Sequence, residues 1–406
     1  MTKGARTGPL QDLTIIDCSM AYAGPFGTSL LADMGANVIK VEPPRGDNFR
    51  PVPPFPPDYG HAARQADAGA DYGMPFASVN RNKRGICLDL KSARDKEVLL
   101  QMCEQADAIV ENMRAGVMDE LGLGYEVIAA RNPKIVYGAV RGFGDPRTGA
   151  SPYADWPCLD VAGQAMGGVV EATGDLFGLA IADIYPGTLM ALGLLSAVHS
   201  ARNTGKGQFF DVAMYDAMIG LLRSNVASYS LTGKQPGPGR SALVPFSLFP
   251  AADGRFAIAA PVEHHWRFLC EAMGRPELID DARTSNNLKR VANREFVEEQ
   301  IAAWTSPKTK QQLLQLLGGS VPCGPANSMA EVFDDPHVAA RQMLESCQLQ
   351  GDNPEITLSA SPIKFADTAT GLYQAPPTLG EHTDELLAEF GIVRGVMPDE
   401  GEQTGE

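Results

Sequence analysis

The sequence predicts an α/β protein, a Rossmann-like doubly wound large domain joined to a smaller α+β domain. Three observations carry this. A strand–helix–strand pattern opens the chain. Strand and helix patterns then alternate to about residue 140, and a separate strand with a run of helices follows a break rich in glycine and proline.

Residues 13–17 (Leu-Thr-Ile-Ile-Asp) read as a strand, being a short apolar run rich in β-branched side chains. A turn at Ala23-Gly-Pro-Phe-Gly27 leads into helical spacing over 28–35, and Asn37-Val-Ile-Lys-Val-Glu42 is a second strand. Such a unit makes a parallel pair with a right-handed crossover. Proline and glycine crowd 43–75, a surface excursion long enough to carry function. Order returns with a strand over 85–90, a helix over 93–105, and strands over 108–111 and 134–140. Helices dominate 160–232, with a strand-to-helix turn flanked by Asp211 and Asp216. Gly233-Lys-Gln-Pro-Gly-Pro-Gly239 is a break that can bring backbone close to a ligand. A strand over 254–260 and helices over 264–317 come next. The expected division is a large domain over 1–226, a small domain over 227–320, and a return to the large domain over 321–395. From 396 the composition is acidic and aperiodic, which predicts a disordered tail.

Composition removes several function classes. The chain has 406 residues, 44% hydrophobic and 20% charged, with net charge −15. A chain so acidic is poorly suited to nucleic acid, whose phosphates need clustered Lys and Arg. No apolar signal core opens the sequence, and the apolar run after Asp183 is broken by Gly193 and Ser196 before it reaches His199 and Arg202. It is expected to be a buried helix, too short and interrupted for a membrane span. Seven cysteines form no CxxC and no Cys/His spacing, so reduced thiols, a cytoplasmic setting and no metal site are expected. The first strand–helix turn lacks GxGxxG, which removes support for NAD or FAD.

Asp183 is the most informative side chain. It lies alone in Phe177-Gly-Leu-Ala-Ile-Ala-Asp183-Ile-Tyr-Pro-Gly187, and helical apolar spacing is read from Thr188 onward. An ionised carboxylate without partners is costly to bury. A position at or just before a helix N-terminus would offset that cost through free N–H groups and the helix dipole. Local context favours an N-cap, while the sharper reading is a carboxylate nucleophile. Asp160 reads as the cap of the helix carrying Gln164 and Met166.

Ten segments in one order decide between these readings. They include Ala23-Gly-Pro, Gly35-Ala-Asn-Val-Ile-Lys-Val-Glu-Pro-Pro44, Asn80-Arg-Asn-Lys-Arg-Gly-Ile-Cys-Leu-Asp-Leu-Lys91 and Ala106-Asp-Ala-Ile-Val-Glu-Asn112. Gln164-Ala-Met-Gly-Gly168, Ala182-Asp183, Thr204-Gly-Lys-Gly-Gln208 and Leu379-Gly-Glu-His-Thr-Asp384 continue the series. Together they resemble the family III CoA-transferases, the group of formyl-CoA transferase and carnitine CoA-transferase, over residues 13–391. The resemblance implies an interlocked homodimer that moves CoA from an acyl-CoA thioester to a small carboxylic acid. It implies Asp183 as the nucleophile, forming an aspartyl–acyl anhydride and then an aspartyl–CoA thioester, with no tightly bound cofactor. It also implies CoA contacts at Tyr22, Ala23, Leu88, Asp89, Leu90, Lys91, Asn112, Met113, Arg114, Leu121 and Leu159, with Lys91 the natural phosphate partner. Arg50, Lys83 and Arg84 are further cationic candidates.

The sequence departs from formyl-CoA transferase at several positions. Tyr22 replaces its Gln, Leu159 replaces its Tyr, and Glu120 stands where a nucleotide-binding cation is expected. The glycine-rich loop matches only loosely at 233–239, and the stretch between Gly174 and Asp183 is shorter. These argue against formyl-CoA and oxalate as the substrate pair. An α-methylacyl-CoA racemase, the rival within the fold, would need a histidine at the position of Leu159, and leucine cannot exchange a proton. A non-catalytic CoA-binding protein is the rival outside enzymology, and the retained Asp183 speaks against it.

Overall fold

The structure, a computed structural model, describes residues 6–55, 72–234, 242–349 and 354–393. The centre of the 43–75 excursion, most of the 233–239 break, and the tail from 396 lie outside the described residues. Contacts divide the chain into two compact units: 1–236 with 342–406, and 237–341.

In the larger unit the chain order is β1 (Thr14–Asp17), α1 (Ala23–Asp33), β2 (Asn37–Glu42), α2 (Met74–Asn80), β3 (Lys83–Cys87) and α3 (Ala93–Gln105). Then come β4 (Ala108–Glu111), α4 (Val117–Glu120), α5 (Tyr125–Arg131), β5 (Val136–Arg141), α6 (Asp160–Met166), α7 (Val169–Thr173) and α8 (Ile181–Thr204). β6 (Phe209–Ala213), α9 (Met214–Leu221) and α10 (Arg223–Thr232) complete the run. The six strands form one sheet in the order β3-β2-β1-β4-β5-β6, and every pair is parallel. β2, β4 and β5 are buried along their whole length, as strands covered on both faces must be. One core layer packs α1 and α8 on one face through Leu31, Met190, Leu194 and Val198; the other packs α3 through Leu99 and Met102. This is the doubly wound topology expected.

Two helices start earlier than their spacing suggested. α1 begins at Ala23, with Pro25 in its first turn, where a missing N–H costs nothing. α8 begins at Ile181 and carries Pro186 inside it, so Asp183 is its third residue and Ala180 is the cap. The added turns make α8, alone among the described residues, long and apolar enough to cross a membrane, which corrects the expectation that this run is too short. Its inner face, however, packs into the core of the sheet domain.

In the smaller unit β7 (Phe246–Ala251), β8 (Gly254–Ala259), α11 (Glu263–Ala272), α12 (Asn287–Ala292), α13 (Arg294–Thr305), α14 (Lys310–Leu317) and β9 (Cys323–Pro325) surround a core that includes Phe256, Trp266 and Ile301. The three strands make an antiparallel sheet, β7-β8-β9. The sequence placed the return to the large domain at 321, but β9 pairs with β8. That pairing, with α15 (Met329–Phe333) and α16 (Pro336–Ala340), keeps the chain in the small unit to 341. The remaining elements, hairpin β10 (Leu344–Gln348) with β11 (Glu355–Ser359) and α17 (Thr383–Glu389), belong to the large unit. There α17 docks on β3, where His382 Nδ1 accepts from Gly85 N–H at 3.1 Å.

Candidate active site

In an open parallel sheet the ligand crevice lies beyond the carboxyl ends of the strands, where the strand order reverses. Here the reversal falls between β1 and β4, and a cavity of about 890 Å³ opens there. That is within the roughly 300–1,000 Å³ typical of small-molecule sites. Cys18 and Met20 after β1, Pro43 to Arg45 after β2, Asp89 to Lys91 after β3, and Met113 and Arg114 after β4 all line it. Glu120 and Leu121 close the far side.

Of the CoA contacts implied by resemblance, Asp89, Leu90, Lys91, Met113, Arg114 and Leu121 therefore lie in one cavity. The others do not line it. Leu88 is buried in the sheet core. Asn112 is taken up in a two-way clamp on Met20: its Oδ1 accepts the Met20 N–H at 2.8 Å and its Nδ2 donates to the Met20 carbonyl at 2.7 Å. Tyr22 caps α1, Ala23 is buried in its first turn, and Leu159 caps α6 with an exposed side chain. The cationic candidates Arg50, Lys83 and Arg84 are committed elsewhere. Arg50 pairs with Glu42 at 2.6 Å, Lys83 with Asp17 at 2.9 Å, and Arg84 with Glu385 at 3.2 Å and with Glu389. Arg45 was missed from sequence. It stands at the cavity with Lys91 and Arg114, and the place of its residue just past β2 was the available signal.

Asp183 sits near the start of α1. Gly27 of α1 and Gly187 of α8 let the two helices touch: a Cβ on either would come within 2.4 Å of backbone oxygen on the other helix. One turn before Gly187, Asp183 comes within electrostatic reach of Tyr22, whose phenol is pushed up by burial and then by the Asp183 charge. Asp160 lies on the other side. It is the first residue of α6, not its cap; instead its Oδ1 accepts the Ala182 N–H at 2.8 Å and its Oδ2 accepts from Gln164 Nε2 at 2.9 Å. Gln164 is buried, and its Oε1 accepts the Phe177 N–H at 2.9 Å, so the matched Gln164 segment fixes the loop that launches α8.

Asp183 is part-buried and has no basic partner among the described residues. Burial first, then the neighbouring Asp160 charge, pushes its carboxyl up to about 7. The helix N-terminus was expected to keep it ionised; burial and the Asp160 charge act in the opposite direction. The Cys158 thiol beside them is driven the same way, to about 11, by burial and then by Asp183 and Asp160. Among the described residues no cluster of metal-ligating side chains is found.

The profile of the CoA-transferase family III matches residues 10–383. The chain belongs to this family. It is 43% identical to a succinyl-CoA:mesaconate CoA-transferase of Haloarcula hispanica, over 96% of this chain and 98% of that one. It is 36% identical to an acetyl-CoA:oxalate CoA-transferase of Acetobacter aceti, over 83% and 85%. A CAIB/BAIF family protein from Brucella suis superposes with a TM-score of 0.80 and 32% identity, covering 95% of this chain and all of the other. This family member is an acyl-CoA:carboxylate CoA-transferase, and CoA thioesters are its substrates.

Proposed function

We propose that transfer runs through Asp183, with the nucleotide part of CoA in the switch-point cavity and the thioester reaching past Met20 to Ala23. The observation that carries this is a part-buried carboxylate without a cation, at the first turn of α8 and beside the turn that leaves the cavity. A carboxylate so placed is poorly solvated and reactive, and neighbouring protein keeps water from its activated forms.

An Asp183 oxygen attacks the thioester carbonyl, the C–S bond breaks, and CoA leaves as thiolate from a mixed anhydride. The thiolate then attacks the aspartyl carbonyl, releasing the donor carboxylate and leaving CoA on Asp183. An acceptor carboxylate attacks that thioester, re-forming an anhydride and thiolate. Attack of the thiolate on the acceptor carbonyl gives the new acyl-CoA and returns Asp183. Each acylated state of Asp183 is neutral, so each relieves its repulsion with Asp160.

Arg45, Lys91 and Arg114, which line the cavity, suit the phosphates. Relatives named for succinyl-CoA and mesaconate support a dicarboxylate pair. A homodimer is supported by α10, which buries none of its residues and exposes Val226, Tyr229 and Leu231. Seven free cysteines support a reducing, cytoplasmic setting, and this chemistry requires no tightly bound cofactor.

The test is a panel of acyl-CoA donors against small mono- and dicarboxylates, with CoA esters resolved by mass spectrometry. Incubation of a 2-methylacyl-CoA in D₂O runs beside it. Acceptor-dependent transfer should exceed deuterium uptake by orders of magnitude, because a racemase lacking one acid–base partner loses roughly 10²–10⁴-fold. Rapid deuterium uptake without transfer would sink the proposal.

A further inference from the structure

Asp47 takes no part in the chemistry above, yet it is 1% exposed and organises the turn between β1 and α1. Ala21 in that turn has φ 62°, a left-handed conformation that a residue with a Cβ adopts only when its surroundings hold it there. The holder is Asp47: its Oδ1 and Oδ2 accept the Ala21 N–H at 3.0 and 3.2 Å. Oδ1 also accepts the Phe49 N–H at 2.9 Å. Oδ2 pairs with Lys40 Nζ at 2.7 Å, and Lys40 reaches the Ser19 carbonyl at the start of the same turn.

Two consequences meet at Tyr22. Its backbone follows the strained Ala21, and its ring lies edge-on to Phe49 at 5.6 Å between centroids. One buried carboxylate therefore sets both the chain and the packing of the side chain next to Asp183. From the far side the Asn112 clamp holds Met20, so the turn between the cavity and Asp183 is pinned at both ends.

We propose that Asp47 is a positioning residue for CoA transfer, holding Ala21 and Phe49 so that Tyr22 stands in one place against Asp183. This rests on the reading of Asp183 as nucleophile. Asp47 touches no reacting atom, so its removal acts on kcat and spares the phosphate contacts.

Asp47→Ala should lower kcat at least about tenfold, with KM for the acyl-CoA within about threefold. Adding Ala21→Gly to Asp47→Ala should recover at least about threefold in kcat, because glycine takes the left-handed conformation without being held. A merely loosened fold would not be repaired by a more flexible residue. Should Asp47→Ala fail to fold, Asp47→Asn keeps one acceptor oxygen for Ala21. Phe49→Leu keeps an apolar side chain against the cluster of Tyr72 and Phe76 while removing the ring against Tyr22, and both should lower kcat in the same direction. A crystal structure of the variant reads the geometry without activity: Ala21 should leave positive φ and Tyr22 should move from Phe49. Wild-type kcat in Asp47→Ala, or an unmoved turn, overturns the inference. Absence of transfer by the wild-type protein would instead strike the reading of the site, and the structural readout would still decide the role of Asp47.

Discussion

If Asp183 attacks as a carboxylate, the upward shift of its pKa must appear in the rate. With its carboxyl pushed up to about 7, only a minority of free enzyme is active in mild acid. kcat/KM reports the free enzyme, so it should fall tenfold per pH unit below about 7, reaching roughly a hundredth of its plateau at pH 5. Substrate ionisation could imitate such a break, and Asp160→Asn separates the two. Removing that charge should move the break down by about one unit, because burial, the larger cause, remains. The variant also disturbs the hydrogen bond from Gln164, a loss of about 1 kcal/mol in stability that leaves the fold intact. A flat profile from pH 5 to 8, or a break that Asp160→Asn leaves in place, would refute the argument.

The same shift sets a stability signature. The unfolded carboxyl titrates near 3.8 and the folded one near 7, so between these values the folded chain holds the extra proton. Stability of the wild-type protein therefore falls as pH rises through that window, and Asp183→Asn escapes the loss. The gap between 3.8 and about 7 corresponds to about 4 kcal/mol, and residual solvent access reduces the expectation to about 2 kcal/mol. Urea unfolding at pH 8 should show Asp183→Asn more stable than wild type, with the difference vanishing near pH 4.

Acyl-CoA alone, followed by hydroxylamine, should leave a modified peptide containing Asp183; modification of Asp160 instead would reassign the nucleophile. Lys91→Ala and Arg45→Ala should each raise KM for the CoA ester with kcat nearly unchanged, as contacts remote from the thioester do. An unchanged KM in both would move the nucleotide out of the switch-point cavity. Sedimentation should give twice the 43.3 kDa chain mass; a monomer would leave the apolar face of α10 unexplained.

The βαβ opening, the parallel sheet and the position of Asp183 in the chain were legible because each rests on local periodicity. What stayed hidden depends on pairing across the chain. The start of α8 was misplaced because Pro186 and Gly187 read as a break, whereas the helix tolerates the proline and needs the glycine to meet Gly27. Asp160 looked like a cap for its own helix, but its Oδ1 accepts the Ala182 N–H, more than twenty positions on. Arg50 and Lys83 looked as available for phosphate as Arg114, and only burial against Glu42 and Asp17 distinguishes them. Asp47 carried no signal beyond the Gly-Asp that follows a strand, since its role exists only in the bonds to Ala21 and Phe49. These misreadings share a physical origin. Sequence spacing reports which face a side chain takes, while ionisation and strain are set by the neighbours that the crossover connections bring to that face. At Asp183, burial first and then the Asp160 charge make a carboxylate in a helix's first turn hard to ionise, where the dipole alone predicts the reverse.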